Sequence, residues 1–228
     1  DAELDSLVER AVVANHDLAI ARARVREARA LRDIAAGARL PEVDAVAGAS
    51  RSGISANVPQ GSGAGIATLY NAGFDATWEV DLFGSNRAAL AASEAGLEAA
   101  EEGVRDALVT LLGEVARNYV ELRGAQRQIE LTRANADAQR RTLELTRSRF
   151  EAGLSTQLDV ARAQTLLSNT DALVPSLQTR VESAIHRISV LIGEPPASLA
   201  SELRESKPVP TAQGAVAELA AGVPSDLL

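Results

Sequence analysis

The chain has 228 residues, a formal net charge of −8, two His, no Cys and no Met. That length is enough to bury a real core, and the acidic balance with only 3% aromatic residues argues against a nucleic-acid surface of basic patches and stacking platforms. Without Cys there is no disulfide, thiolate zinc site, iron–sulfur cluster or cysteine nucleophile.

Residues 3–38 read as one helix, rich in Ala, Arg and Glu, free of Gly until Gly37 and stopped by Pro41. Residues 43–82 then turn poor in charge and rich in Gly, Ser, Ala and Thr. Tyr70, Ala72, Phe74, Ala76, Trp78 and Val80 occupy one parity; Asn71, Gly73, Asp75, Thr77, Glu79 and Asp81 occupy the other. That period of two is the mark of a strand with one apolar and one polar face. A weaker strand over 43–54 and a Gly-rich loop over 57–65 complete a β-hairpin. The apolar face suits either a sheet packed on a soluble core or the outside of a membrane barrel, and alternation alone leaves both open. No run of 18 or more apolar residues offers a transmembrane helix.

From Arg87 the period becomes helical for more than 60 residues. Leu108, Val115, Leu122, Ile129, Ala136, Leu143 and Phe150 recur every seven residues. Leu90, Leu97, Val104 and Leu111 form a second series, and Leu131, Ala138 and Leu145 a third. A two-stranded coiled coil needs one seam, so several seams predict neighbours on more than one side. Gly96, Gly103, Gly113 and Gly124 each lower helix propensity by roughly 1 kcal/mol against Ala, which close helix approach would offset. Gly153 interrupts the helix, and Ser155 and Thr156 are candidate N-caps with Asp159 three residues beyond Thr156. A further helix runs to about Ile192, with Val160, Leu167, Val174, Val181 and Ile188 in heptads and Pro175 as a kink.

Residues 193–228 hold Pro195, Pro196, Pro208, Pro210 and Pro224, an irregular region with a short helix expected around 214–222. A long helical hairpin offers a sheet no compact core to cover, and a lone two-stranded hairpin is marginal in water. The hairpin is therefore expected to pair with strands from other copies or from a further part of the protein, and a closed barrel buries both edges. The start at Asp1 without Met points to a processed chain or a fragment.

Trp78-Glu79-Val80-Asp81-Leu82-Phe83-Gly84, running straight into a long Ala-rich helix, resembles the outer membrane factor family, the exit ducts of Gram-negative tripartite efflux pumps and type I secretion systems. Arg149-Phe150-Glu151-Ala152-Gly153-Leu154-Ser155-Thr156-Gln157-Leu158-Asp159-Val160 is similar to the periplasmic hairpin tip of that family, and the order helix, strand, strand, long helix, turn, helix matches as well. The resemblance covers nearly the whole chain. It implies a mainly α fold with a β-hairpin: a long antiparallel coiled-coil hairpin forming part of an α-barrel, plus two strands of a transmembrane β-barrel completed by trimerisation. It divides the chain into an upper α-barrel helix (1–40), an outer-membrane β-hairpin (41–84), a periplasmic α-hairpin (85–192) and an equatorial region with a linker (193–228). Family members carry two such repeats, so this chain is expected to be the first half of a longer protein, without the second repeat, a signal peptide or a lipidated Cys.

The implied function is an outer membrane exit channel of a multidrug-type efflux pump. It would conduct passively from a periplasmic adaptor and an inner-membrane transporter, act as a homotrimer set in outer membrane lipid, and extend into the periplasm. A type I protein-secretion duct and a non-channel coiled-coil scaffold are the alternatives. The resemblance assigns adaptor contact to the tip residues Arg149, Gly153, Leu154, Ser155 and Asp159. A turn accounts for Gly153, Ser155 and Thr156 by themselves; Arg149, Leu154 and Asp159 are the residues a turn does not require. Tyr70, Phe74, Trp78 and Val80 are expected to face lipid, with Tyr70 and Trp78 in an aromatic belt, and Asp75, Glu79 and Asp81 to face an acidic lumen. His16 and His186 have no ligand-spaced partners. No phosphate loop, nucleophile elbow or unexplained carboxylate pair is present, so neither an enzyme, a cofactor nor a bound metal is expected.

Overall fold

The computed structural model describes residues 1–54 and 65–210. The Gly-rich loop through residue 64, the short helix expected around 214–222 and the linker beyond it lie outside the described residues. Eight elements follow in order: α1 (Ala2–Ala14), α2 (His16–Gly37), β1 (Glu42–Ile54), β2 (Gly65–Thr77), α3 (Ser85–Glu151), α4 (Gln157–Asp171), α5 (Leu173–Leu191) and α6 (Ala200–Leu203). They sort into two compact units, Asp1–Ile20 with the chain from Arg105 onward, and Ala21–Val104.

The long helix is continuous: α3 has 67 residues, about 100 Å at 1.5 Å per residue. Both flanking helices are broken where one was expected. At Asn15 the backbone turns extended (φ −64°, ψ 130°), ending α1. The Asn15 side chain then accepts the Leu18 N–H at 2.9 Å and donates to the Leu191 carbonyl at 2.9 Å, so a buried Asn caps α2 and ties it to the end of α5. The second break, at Ala172, is the kink Pro175 predicts: Pro175 cannot donate to the Asp171 carbonyl four residues back.

In the first unit the expected heptad seam supplies part of the core, although its last α3 member, Phe150, is exposed, and Leu7, Tyr119, Ile185, Ile192 and Leu203 are buried off the seam. Val115, Leu122, Ile129, Ala136 and Leu143 of α3 are buried, as are Leu167 of α4 and Val181 and Ile188 of α5. Nearer the tip, Ala136, Leu143 and Leu167 form a cluster with Val160 and Ala163 packed against it. The third series stays open: Leu131 and Leu145 are exposed. Among the described residues the helix glycines do not mark close approaches, because a Cβ at Gly96, Gly103, Gly113 or Gly124 would meet nothing within 4 Å. Their propensity cost is not offset by packing among the described residues.

In the second unit β1 and β2 pair antiparallel in the register Glu42↔Thr77 to Ile54↔Gly65. Paired residues share a face, which sorts most of the ribbon, with Val46 and Leu69 on the polar face and Arg51 and Thr68 on the apolar one as exceptions. Val43, Ala45, Ala47 and Ala49 lie beside Ala76, Phe74, Ala72 and Tyr70; Asp44, Val46 and Gly48 lie beside Asp75, Gly73 and Asn71. The second strand begins earlier and ends sooner than its alternation implies. Trp78, Val80, Glu79 and Asp81 fall in the connector to α3, not in the strand to which they were assigned. The reason is local: α3 needs a cap, and Asp81 provides it.

Candidate functional site

Two regions carry the expected site residues, the α3–α4 turn in the first unit and the hairpin with its connector in the second.

The turn closes itself. Gly153 sits at φ +74°, the left-handed conformation favoured by glycine. The Leu154 N–H donates to the Arg149 carbonyl at 2.8 Å and the Gly153 N–H to the Phe150 carbonyl at 2.9 Å, the Schellman pair that satisfies orphan carbonyls at a helix end. Arg149 lies in the last turn of α3, where its charge complements the helix dipole. Thr156 caps α4: its hydroxyl accepts the Asp159 N–H at 3.3 Å, and Asp159 Oδ2 accepts the Thr156 N–H at 3.0 Å. The Thr156 hydroxyl also donates to that oxygen at 2.6 Å, and these bonds hold the Asp159 carboxyl below its ordinary pKa. Asp159 is thus required by the turn, contrary to the sequence expectation. Ser155 is not a cap; its hydroxyl reaches back across the turn to the Thr146 carbonyl at 3.2 Å.

What the turn leaves over is Leu154. A Schellman turn commonly buries this residue against the helix it ends, yet Leu154 is 77% exposed. Along α4 a shallow groove of about 390 Å³, lined by Leu158, Ala161, Arg162, Thr165, Leu166 and Asn169, carries two more exposed leucines, Leu158 and Leu166. Sequence reasoning missed this groove because both leucines lie off the heptad seam.

On the hairpin, Tyr70 and Phe74 share one face and Asp75 lies on the other, as expected. Asp75 stands opposite Asp44, a cross-strand pair of like charges that sequence alone could not register. Tyr70 and Phe74 are strongly exposed. In the connector Trp78 and Asp81 have local tasks, while Glu79 is exposed. The Trp78 indole N–H donates to the Arg39 carbonyl at 3.3 Å, joining the two ends of the hairpin. Asp81 accepts the Arg87 N–H at 3.0 Å and lies 3.5 Å from the Arg87 guanidinium. Gly84, at φ +83°, turns the chain into α3.

A third cluster, missed entirely, lies in the first unit. Arg123 is fully buried; it donates to Glu3 at 2.7 Å, to Gln126 at 2.8 Å and to the Glu205 carbonyl at 2.7 Å, and its guanidinium lies 5.0 Å from the centre of the Tyr119 ring. Gln126 donates to the Leu203 carbonyl and Lys207 to Glu3. Burial pushes the Glu3 carboxyl up, but Lys207 and Arg123 outweigh it and hold the group below its ordinary value. The 119, 123, 126 spacing on one helix face was the available signal. His16 and His186 are both exposed, and no metal-binding group occurs among the described residues. No described helix is long and apolar enough to cross a membrane.

A family profile described as outer membrane efflux protein matches residues 7–194. The pyoverdine export outer membrane protein OpmQ of Pseudomonas aeruginosa is 34% identical over 99% of this chain and 48% of its own length. Nodulation protein T of Rhizobium leguminosarum bv. trifolii is 30% identical over 100% and 48%, and the solvent efflux pump outer membrane protein SrpC of Pseudomonas putida is 31% identical over 100% and 47%. Among solved structures, the outer-membrane channel OprN superposes with a TM-score of 0.82 at 38% identity, covering 92% of this chain and 47% of that one. The outer membrane protein VceC of Vibrio cholerae gives 0.81 at 25% identity over 92% and 51%. The chain spans about half the length of the curated relatives it matches.

Proposed function

This chain belongs to the outer membrane efflux protein family, and from that premise we propose that it supplies one of two structural repeats of an exit duct. The duct carries substrates passively across the outer membrane from a periplasmic adaptor and an inner-membrane transporter. The observation that carries this is the ribbon. Its strands of 13 residues span about 43 Å at roughly 3.3 Å per residue, or about 30 Å at a tilt near 45°, the thickness of a bilayer's hydrocarbon core. One face is apolar from Val43 to Ala49 and from Tyr70 to Ala76, with Arg51 and Thr68 beyond it toward the loop, and the described side chains are exposed throughout. Such a ribbon is stable in lipid only when its edges are closed by strands of other repeats and copies, here a homotrimer.

In that barrel Tyr70 and Phe74 face lipid, Trp78 stands at its periplasmic rim, and Asp44 and Asp75 line an acidic, cation-favouring lumen. Residues 1–40 and 85–192 build the periplasmic tunnel, and 193–210 part of its equatorial region. Relatives are named for pyoverdine export and for solvent efflux; in this reading the duct is passive and substrate choice belongs to the transporter. The duct does no covalent chemistry. The test is conductance: protein from cells expressing the whole gene, reconstituted in planar bilayers, is expected to show cation-favouring steps, whereas a scaffold protein conducts nothing.

The α3–α4 turn is the adaptor contact, with exposed Leu154 as the apolar knob, Leu158 and Leu166 extending the surface, and Arg149 at its edge. Gly153, Ser155, Thr156 and Asp159 hold the shape. Leu154→Cys with a thiol-reactive cross-linker is expected to give an adaptor-dependent product, and none if the turn is unengaged.

A further inference from the structure

The segment between β2 and α3 holds a residue that the described residues leave almost wholly exposed. Trp78 joins the hairpin ends, Asp81 caps α3 and Gly84 makes the turn. Phe83, immediately before that turn, is 99% exposed, and its neighbour Leu82 is exposed as well. With Leu40, Trp78 and Val80, also exposed, they gather large apolar side chains where both strands end. Contiguous apolar exposure of this kind marks a surface that something covers.

Strand length decides what covers it. If β2 crosses the hydrocarbon core and ends at Thr77, the connector emerges at the depth of the lipid headgroups on the periplasmic side. Trp78, with its N–H satisfied by a carbonyl and its ring exposed, has the amphipathic form that settles at that depth. The carboxylate of Asp81 is taken up by the α3 N-terminus and Arg87, and the exposed carboxylate of Glu79 limits the connector to the depth of the headgroups rather than the hydrocarbon. Arg39, exposed beside the Trp78 indole, is the cation that would meet lipid phosphates, the Arg87 guanidinium lying against Asp81. We infer that Leu82 and Phe83 form a second membrane contact outside the barrel, a wedge lying in the periplasmic leaflet of the outer membrane that fixes the depth at which the duct sits. The occupant is phospholipid, not a neighbouring copy of the chain.

The inference rests on the duct reading, and the experiment separates the two. Nitroxide labels are attached at Phe83→Cys, at Leu82→Cys as an independent variant, at Phe74→Cys on the apolar strand face and at Glu98→Cys on the exposed side of α3, in full-length protein in phospholipid vesicles. Collision with oxygen, enriched in lipid, is compared with collision with a water-soluble nickel chelate. The expected oxygen-to-nickel ratio at 82 and 83 is several-fold above that at 98 and below that at 74. A ratio at 82 and 83 equal to that at 98 overturns the wedge, and so does shielding from both agents, which assigns Phe83 to a protein interface. A water-like ratio at 74 overturns the duct itself.

Discussion

At the residue scale, Thr156 and Asp159 show how a surface turn is held without a core. Their reciprocal bonds satisfy the first donors of α4. Thr156→Ala is expected to destabilise the turn by about 1 kcal/mol, read as faster amide exchange at residues 153–160 with the rest of α3 unchanged. The Asp159 carboxyl lies below its ordinary pKa, so its contribution is complete above about pH 4 and is lost as pH falls through the folded value. Acid is therefore expected to lower the protection of the tip amides relative to their intrinsic exchange rates, and Asp159→Ala to remove that step; a step that survives the substitution contradicts the assignment. The spacing of Thr156 and Asp159 was legible as a cap, but it did not show that Asp159 is committed to the turn rather than free for a partner. Asp81 was not legible as a cap: it continues the polar parity of β2, and only the start of α3 shows that its oxygen is committed to the Arg87 N–H.

At the scale of elements, periodicity gave the seam and polarity hid the joints. Heptads located the buried faces of α3, α4 and α5 because apolar burial is what repeats. The break between α1 and α2 rests on one Asn whose amide bonds a residue 176 positions away, and no local pattern carries that. Arg123 is the extreme case. It joins α1, α3 and the segment after α6 through a buried ion pair and carbonyl contacts, and a lone Arg in a charge-rich helix reads as surface. Arg123→Met leaves Glu3 paired with Lys207 and the Tyr119 hydroxyl but removes the donors to Gln126 and the Glu205 carbonyl, a loss of about 1–3 kcal/mol for buried polar groups left unmade. A clearly lower melting temperature is expected in the whole protein; an unchanged one makes the cluster incidental.

At the scale of the molecule, the chain leaves surfaces that only partners can cover. Leu131, Leu145, Leu154 and the apolar ribbon face are exposed together, so the 228-residue segment expressed by itself is expected to aggregate or form irregular oligomers. A clean monomer with cooperative melting speaks against that. Element order and two short motifs made the architecture legible; the closing partners were not, because contacts between repeats and copies leave only unpaired stripes in one repeat. The most direct test of the duct is the chemistry of β2 in the intact outer membrane. Cys substitutions are placed one at a time from Tyr70 to Asp75 and exposed to a membrane-impermeant maleimide. Labelling at Asn71, Gly73 and Asp75 with protection at Tyr70, Ala72 and Phe74 is the expected result. Uniform labelling along the strand would contradict a barrel wall and leave a water-exposed sheet in its place.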